Sequence, residues 1–293
     1  MFKNVLVPLD FSSTSLDMLR LVRSLLVDTG ATIHLLHIAE EEAEFAIHTS
    51  ADLIAFFEQI EVKRDRWLRD LADQLDDEGF TVHVALRKGV ASDCILSYAD
   101  EVAADLIALS TVGLNPVMRM LEGSTTKRVL REATVPVLTA TALALPPEPF
   151  ALRRVLVPTD FSEASDAAIE VAVRAAETWG AQVRLLHVIK LPSYIPVLPG
   201  EPPLEIPPHA IEAIREHSEA QIKAVVERMG DERVSYDVVT ASEHADAIGA
   251  YAQANACDLV LMARVGRNVM QSLLYGRTVE AVVKTCPRPV LVV

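Results

Sequence analysis

LIALSTVGLNPVMRMLEGSTTKRVLREATVPVLT, residues Leu106 to Thr139, decides how the rest of the chain is read. Leu106–Leu109 is a short apolar run suited to a buried strand. Gly113 follows in a loop, a helix opens at Gly123-Ser124, and a second strand runs from Pro136 to Thr139. A strand feeding a glycine-bearing loop and then a helix N-terminus is how α/β proteins hold phosphate: backbone N–H groups point outward there, and the helix dipole favours negative charge. The chain says this twice. LVLMARVGRNVMQSLLYGRTVEAVVKTCPRPVLVV, Leu259 to Val293, places Gly266 and Gly276 at the same ten-residue separation as Gly113 and Gly123.

Working outward, each half alternates strand and helix. Asn4 to Pro8 is an apolar run for a strand buried on both faces, and Ser12 or Ser13 is positioned to cap the next helix. In that helix Leu16, Leu19, Val22 and Leu26 form one stripe, and Gly30 reads as its C-terminal glycine. Thr32 to Ile38 is a second strand, followed by an acidic loop, Glu40 to Glu44. A long charged helix then spans roughly Ala51 to Asp77 and stops at Gly79, its charges forming a solvated face of pairs three or four apart. Phe80 to Leu86 is a third strand, and a helix from about Ala91 to Val102 leads into Leu106. Such alternation with short connections predicts parallel sheets with helical crossovers.

Val155-Leu-Val-Pro-Thr-Asp160-Phe-Ser162 repeats Val5-Leu-Val-Pro-Leu-Asp10-Phe-Ser12, and Leu185-Leu-His187-Val188 repeats Leu35-Leu-His37-Ile38, both at an offset of 150 residues. The glycines and Pro136/Pro289 repeat at 153. One duplication accounts for this. It divides the chain into domains at 1–142 and 153–293, joined by a proline-stiffened linker, 143–152. Leu191 to His209 carries seven prolines and leaves from the carboxyl end of a strand. It reads as an irregular surface loop, with a flap over the ligand edge as the alternative.

Composition bounds the function. The 293 residues suffice for two cores, and 51% hydrophobic with 23% charged residues is a globular composition. No apolar run approaches the roughly 18 residues that span a bilayer. The N-terminus enters a strand at once, with no room for a signal peptide, so the expectation is a cytoplasmic protein. A net charge of −14 argues against a nucleic-acid or anionic-membrane surface, while leaving room for a small anion held by backbone amides. Cys94, Cys257 and Cys286 lack metal-ligand spacing and read as small buried hydrophobes. His37 and His187 lie within apolar strands as core histidines with no catalytic role. His34 and His48 have no spacing that argues for a ligand set.

Together these residues resemble the universal stress protein family in its tandem two-domain form. The family's loop is G-2x-G-9x-G-(S/T). Here the first half reads Ser110-Thr-Val-Gly113, nine residues, Gly123-Ser124; the second reads Ala263-Arg-Val-Gly266, nine residues, Gly276-Arg277. The resemblance covers essentially the whole chain. It implies an α/β fold of two doubly wound five-stranded parallel sheets, strand order 3-2-1-4-5, paired as an intramolecular pseudo-dimer. It also implies a choice, since one branch of the family binds ATP or a related adenine nucleotide, with Mg, and another does not.

For the binding branch the resemblance implies site residues. Asp10 and Asp160, after the first strand and its closing Pro8 and Pro158, accept hydrogen bonds from sugar hydroxyls. Ile38 and Val188 offer backbone groups to adenine. Gly113, Gly123, Gly266 and Gly276 let the backbone close on ribose and phosphates. Ser124 supplies a hydroxyl to phosphate, with Thr125 and Thr278 next along each helix start. Ser110 and Ala263 stand where the pattern has its first glycine, and Arg277 stands where it has Ser or Thr, so the first half is the better site. Arginine there could pair with phosphate or fill the pocket.

Three readings compete. The first is regulatory nucleotide binding with little or no turnover, serving a stress response through a homo-oligomer or a regulatory protein partner. The second is an interaction module with degraded pockets, and the third an enzyme of the wider adenine-nucleotide class. For the last, no paired carboxylates, activated nucleophile or P-loop lysine is in evidence, so a slow ATPase is the limit.

Overall fold

A computed structural model describes residues 2–27, 29–39, 51–111, 124–141, 144, 150–191, 206–266 and 276–293. The chain divides into two compact units, Met1–Ala142 and Leu143–Val293.

The first unit runs β1 (Asn4–Pro8), α1 (Ser13–Leu26), β2 (Thr32–Ala39), α2 (Ala51–Asp77), β3 (Thr81–Lys88), α3 (Ala91–Glu101), β4 (Leu106–Ser110), α4 (Ser124–Glu132) and β5 (Val137–Ala140). Its strands lie parallel in the order β3-β2-β1-β4-β5. Val5, Leu6 and Val7 are fully buried, as the unbroken apolar run requires of a central strand covered on both faces. β3 alternates exposed with partly buried residues because it is an edge strand of this unit. The order reverses beside β1, which pairs with β2 on one side and β4 on the other. In open parallel sheets such a switch point opens a crevice at the carboxyl ends of the strands.

The second unit repeats the plan: β6 (Arg154–Pro158), α5 (Glu163–Trp179), β7 (Gln182–Lys190), α6 (Pro208–Met229), β8 (Val234–Ala241), α7 (His244–Ala254), β9 (Leu259–Met262), α8 (Arg277–Thr285) and β10 (Val290–Val292). The parallel order is β8-β7-β6-β9-β10. The order 3-2-1-4-5 therefore holds in both units.

Several local expectations meet a finer outcome. Ser12 is the N-cap of α1, its hydroxyl accepting from Ser15 N at 3.1 Å. Gly30 is not the C-terminal residue of that helix. α1 ends at Leu26, whose carbonyl takes the Thr29 N–H and hydroxyl at 3.1 and 2.7 Å, and Gly30 turns the chain afterwards at φ 67°. In the second unit the equivalent Gly180 does cap α5, in the left-handed conformation. Cys257 and Cys286 are buried, whereas Cys94, in the first turn of α3, is half-exposed, its thiol donating to Lys88 O at 3.6 Å. The α2 pairs Arg64–Glu61 and Arg69–Asp65 are on a solvated face as the spacing predicts. The acidic loop, His48 and most of the proline-rich stretch lie outside the described residues. Among the described residues no helix is long and apolar enough to cross a membrane.

Candidate functional site

The chemistry-bearing residues gather where β1 and β4, or β6 and β9, end side by side. In the first unit β1 stops at Pro8, paired with Leu36, while β2 runs on to Ala39. His37, Ile38 and Ala39 thus overhang the end of β1. Asp10 follows Pro8, and its Oδ1 accepts from Ser12 N at 3.0 Å and Ser12 Oγ at 2.5 Å. Oδ1 of the carboxylate therefore braces the turn into α1.

The turn costs backbone strain. Phe11 sits at φ 63° and Phe161 at φ 62°, a region that bulky side chains rarely enter. What holds them there is absent from the motif reading. The Phe11 ring packs on the His37 ring at 4.5 Å between centroids, and Phe161 packs on His187 at 4.4 Å. Each histidine in turn bonds through Nδ1 to the carbonyl before the aspartate, Leu9 O at 2.8 Å and Thr159 O at 2.9 Å. A carbonyl only accepts, so Nδ1 carries the proton when the ring is neutral. Burial first, with the Arg64 charge adding to it, holds His37 below its ordinary pKa against the opposing pull of the Leu9 hydrogen bond. The signal lay in the chain: D-F-S and L-L-H repeat at one offset.

Across the crevice, Ser110 closes β4 half-buried, its carbonyl accepting from the buried Thr126 hydroxyl at 3.4 Å. Ser124 is the first residue of α4 and Thr125 the second, half-buried. Gly113 and Gly123 lie outside the described residues.

In the second unit the loop start is described. Asp160 Oδ1 accepts from Ser162 N at 3.1 Å, Ser162 Oγ at 2.6 Å and Ser165 Oγ at 2.7 Å. A side-chain carbon at Gly266 would lie 2.5 Å from the other carboxylate oxygen, Oδ2. The loop glycine and the strand-one aspartate are therefore in direct apposition, and no larger residue fits between them. Ala263 follows β9 half-buried, and Val188 is buried in β7. Arg264 N donates to Val293 O at 2.9 Å, and Gly276 N donates to Arg264 O at 3.1 Å. Burial draws the Arg264 guanidinium below its ordinary pKa. Gly276 is the N-cap of α8, Arg277 its exposed first residue and Thr278 half-buried behind it. The structure thus brings Pro158, Asp160, Ala263, Gly266 and Gly276 to one edge. No cluster of three or more potential metal ligands occurs among the described residues.

Fold and site define a class: a tandem pair of doubly wound α/β units, each with an aspartate at its switch point and, in the second, a loop glycine set against it. The universal stress protein family model matches residues 1–140 and again 151–293. The chain belongs to the universal stress protein family, in two copies. A universal stress protein from Archaeoglobus fulgidus DSM 4304 superposes over 99% of this chain and 95% of its own, at 20% identity and a TM-score of 0.69. A putative universal stress protein from Pseudomonas aeruginosa UCBPP-PA14 does so over 100% and 93%, at 18% identity and a TM-score of 0.68. Universal stress protein MJ0531 of Methanocaldococcus jannaschii is 22% identical over 138 residues, 47% of this chain and 81% of that protein.

Proposed function

We propose that this chain is a regulatory, cytoplasmic universal stress protein whose first unit binds ATP or a related adenine nucleotide with little or no turnover. Its domains are 1–142 and 153–293, joined by the linker 143–152, and it acts through a second copy or a regulatory protein partner. The observation that carries the reading is the placement of Asp10 where β1 stops short of β2, at the switch point between β2 and β4, with its Oδ1 fixed by Ser12. It supports a site at the crevice where α/β sheets take ligands.

In the first unit Asp10 Oδ1 holds the turn, leaving the carboxylate oriented for sugar hydroxyls. The overhanging Ile38 gives adenine a half-buried apolar wall and backbone groups. The N-terminus of α4, which opens with Ser124 and Thr125, would offer its N–H groups to phosphate. Mg would ride on the phosphates. The Cβ of Ser110 is tolerated because this residue closes a strand rather than turning the loop.

The second unit favours the alternative reading, an interaction module. Its loop glycine already abuts the carboxylate, its Gly276 N–H is spent on Arg264 O, and Arg277 replaces the hydroxyl at the helix start.

Release of bound nucleotide by heating freshly purified protein tests the proposal, read by chromatography and by melting with and without millimolar Mg-ATP. An adenine nucleotide in the supernatant, or a melting temperature raised by ATP, supports it. Neither carried nucleotide nor any shift at millimolar ATP overturns it.

A further inference from the structure

The first unit carries an open cleft of about 380 Å³ between the start of α1 and the middle of α2. Its walls are Phe11, Leu16, Ile60 and Trp67, with Lys63 and Arg64 at the rim. Phe11 and Trp67 meet edge to face at 5.3 Å between centroids, and the Arg64 guanidinium lies 5.5 Å over the Phe11 ring. Arg64 is held on its other side by Glu61 at 2.7 Å. Lys63 is exposed and makes no ion pair among the described residues. The cleft thus has an apolar floor, an aromatic corner and one uncommitted cation.

The second unit serves as an internal control. Leu68, Ala72 and Leu75 of α2 are buried, and so are Ser218, Ile222 and Val225 of α6, all at the 150-residue offset of the repeat. By the same offset, Lys63 and Arg64 correspond to Ala213 and Ile214, Leu16 to Asp166, and Trp67 to His217. The fold therefore requires neither the cations nor Leu16 and Trp67, which belong to the first unit alone, although Phe161 keeps the place of Phe11.

We infer that this cleft binds a small amphiphilic carboxylate, its apolar body against Phe11, Leu16, Ile60 and Trp67 and its carboxylate on Lys63. The volume is that of a small-molecule site, and a mostly apolar lining with one placed charge is the usual construction of such a site. The commitment to an anion rests on charge complementarity: the rim cations stand against an otherwise acidic surface.

The test uses the full chain carrying Trp179→Phe, which leaves Trp67 as its single tryptophan. Titration with decanoate should change Trp67 emission saturably, and decyltrimethylammonium, with the same tail and the opposite charge, should not. Lys63→Glu should raise the decanoate concentration required by at least about tenfold, as for loss of a charged hydrogen bond. Calorimetry of decanoate with the natural sequence checks that Trp179→Phe has not altered the cleft. Absence of saturable binding in both measurements overturns the inference. So does equal binding by the cationic tail, or an unchanged midpoint in Lys63→Glu.

Discussion

Gly266 is where a single atom matters most. Asp160 is anchored by three hydrogen bonds to Oδ1, so a methyl group at position 266 cannot simply push the carboxylate aside. Gly266→Ala should cost about 1–3 kcal/mol, the usual range for overpacking. In a chain already carrying Asp160→Ala the same change should cost much less, since the clashing oxygen is gone. Urea unfolding of the two single variants and the double variant measures this coupling, and strict additivity would refute the contact. His37 yields a pH prediction. Burial holds its folded pKa below the ordinary 6.5, so the unfolded chain takes the proton first as pH falls. Its stabilising contribution is complete above about 6.5 and is lost as pH drops below that value. The His37 C2–H resonance should titrate below 6.5, and a midpoint at or above it contradicts the account.

At the scale of elements, the two units start their first helices with one device, Ser12 and Ser162, each bonded to the N–H three residues on and to the preceding aspartate. Ser12→Ala and Ser162→Ala should each destabilise their unit by about 1 kcal/mol, the common cost of an N-cap. A melting temperature unchanged in both would show that the aspartate alone carries the turn. The first of these caps was legible beforehand, as Ser12 or Ser13, because a serine ahead of an apolar stripe has a local meaning. The end of α1 was not. Gly30 and Gly180 occupy equivalent places, yet only Gly180 caps its helix, because Thr29 captures the Leu26 carbonyl and ends α1 early. The phenylalanine–histidine stacks were also missed. They depend on a positive φ and on a contact between residues 26 apart in sequence, neither of which periodicity encodes.

For the whole molecule, the duplication was fully legible, because an offset of 150 that drifts to 153 is a fact of the letters alone. Strand order came from the family resemblance, since strand–helix alternation alone leaves several topologies open. How the loop glycine meets the strand-one aspartate was less legible. Arg277 was readable as a departure, but the apposition of Gly266 and Asp160 needs coordinates. The two units have diverged in what they present: Ser124 and Thr125 at the helix start and a cation-rimmed cleft in the first, an arginine at the helix start in the second. The central claim is that nucleotide binding belongs to the first unit. Calorimetric titration of the full chain with Mg-ATP, beside Gly123→Val and Gly276→Val, tests it most directly. The account predicts one site per chain, abolished by Gly123→Val and retained in Gly276→Val. Binding lost only with Gly276→Val, or unaffected by either change, would contradict it.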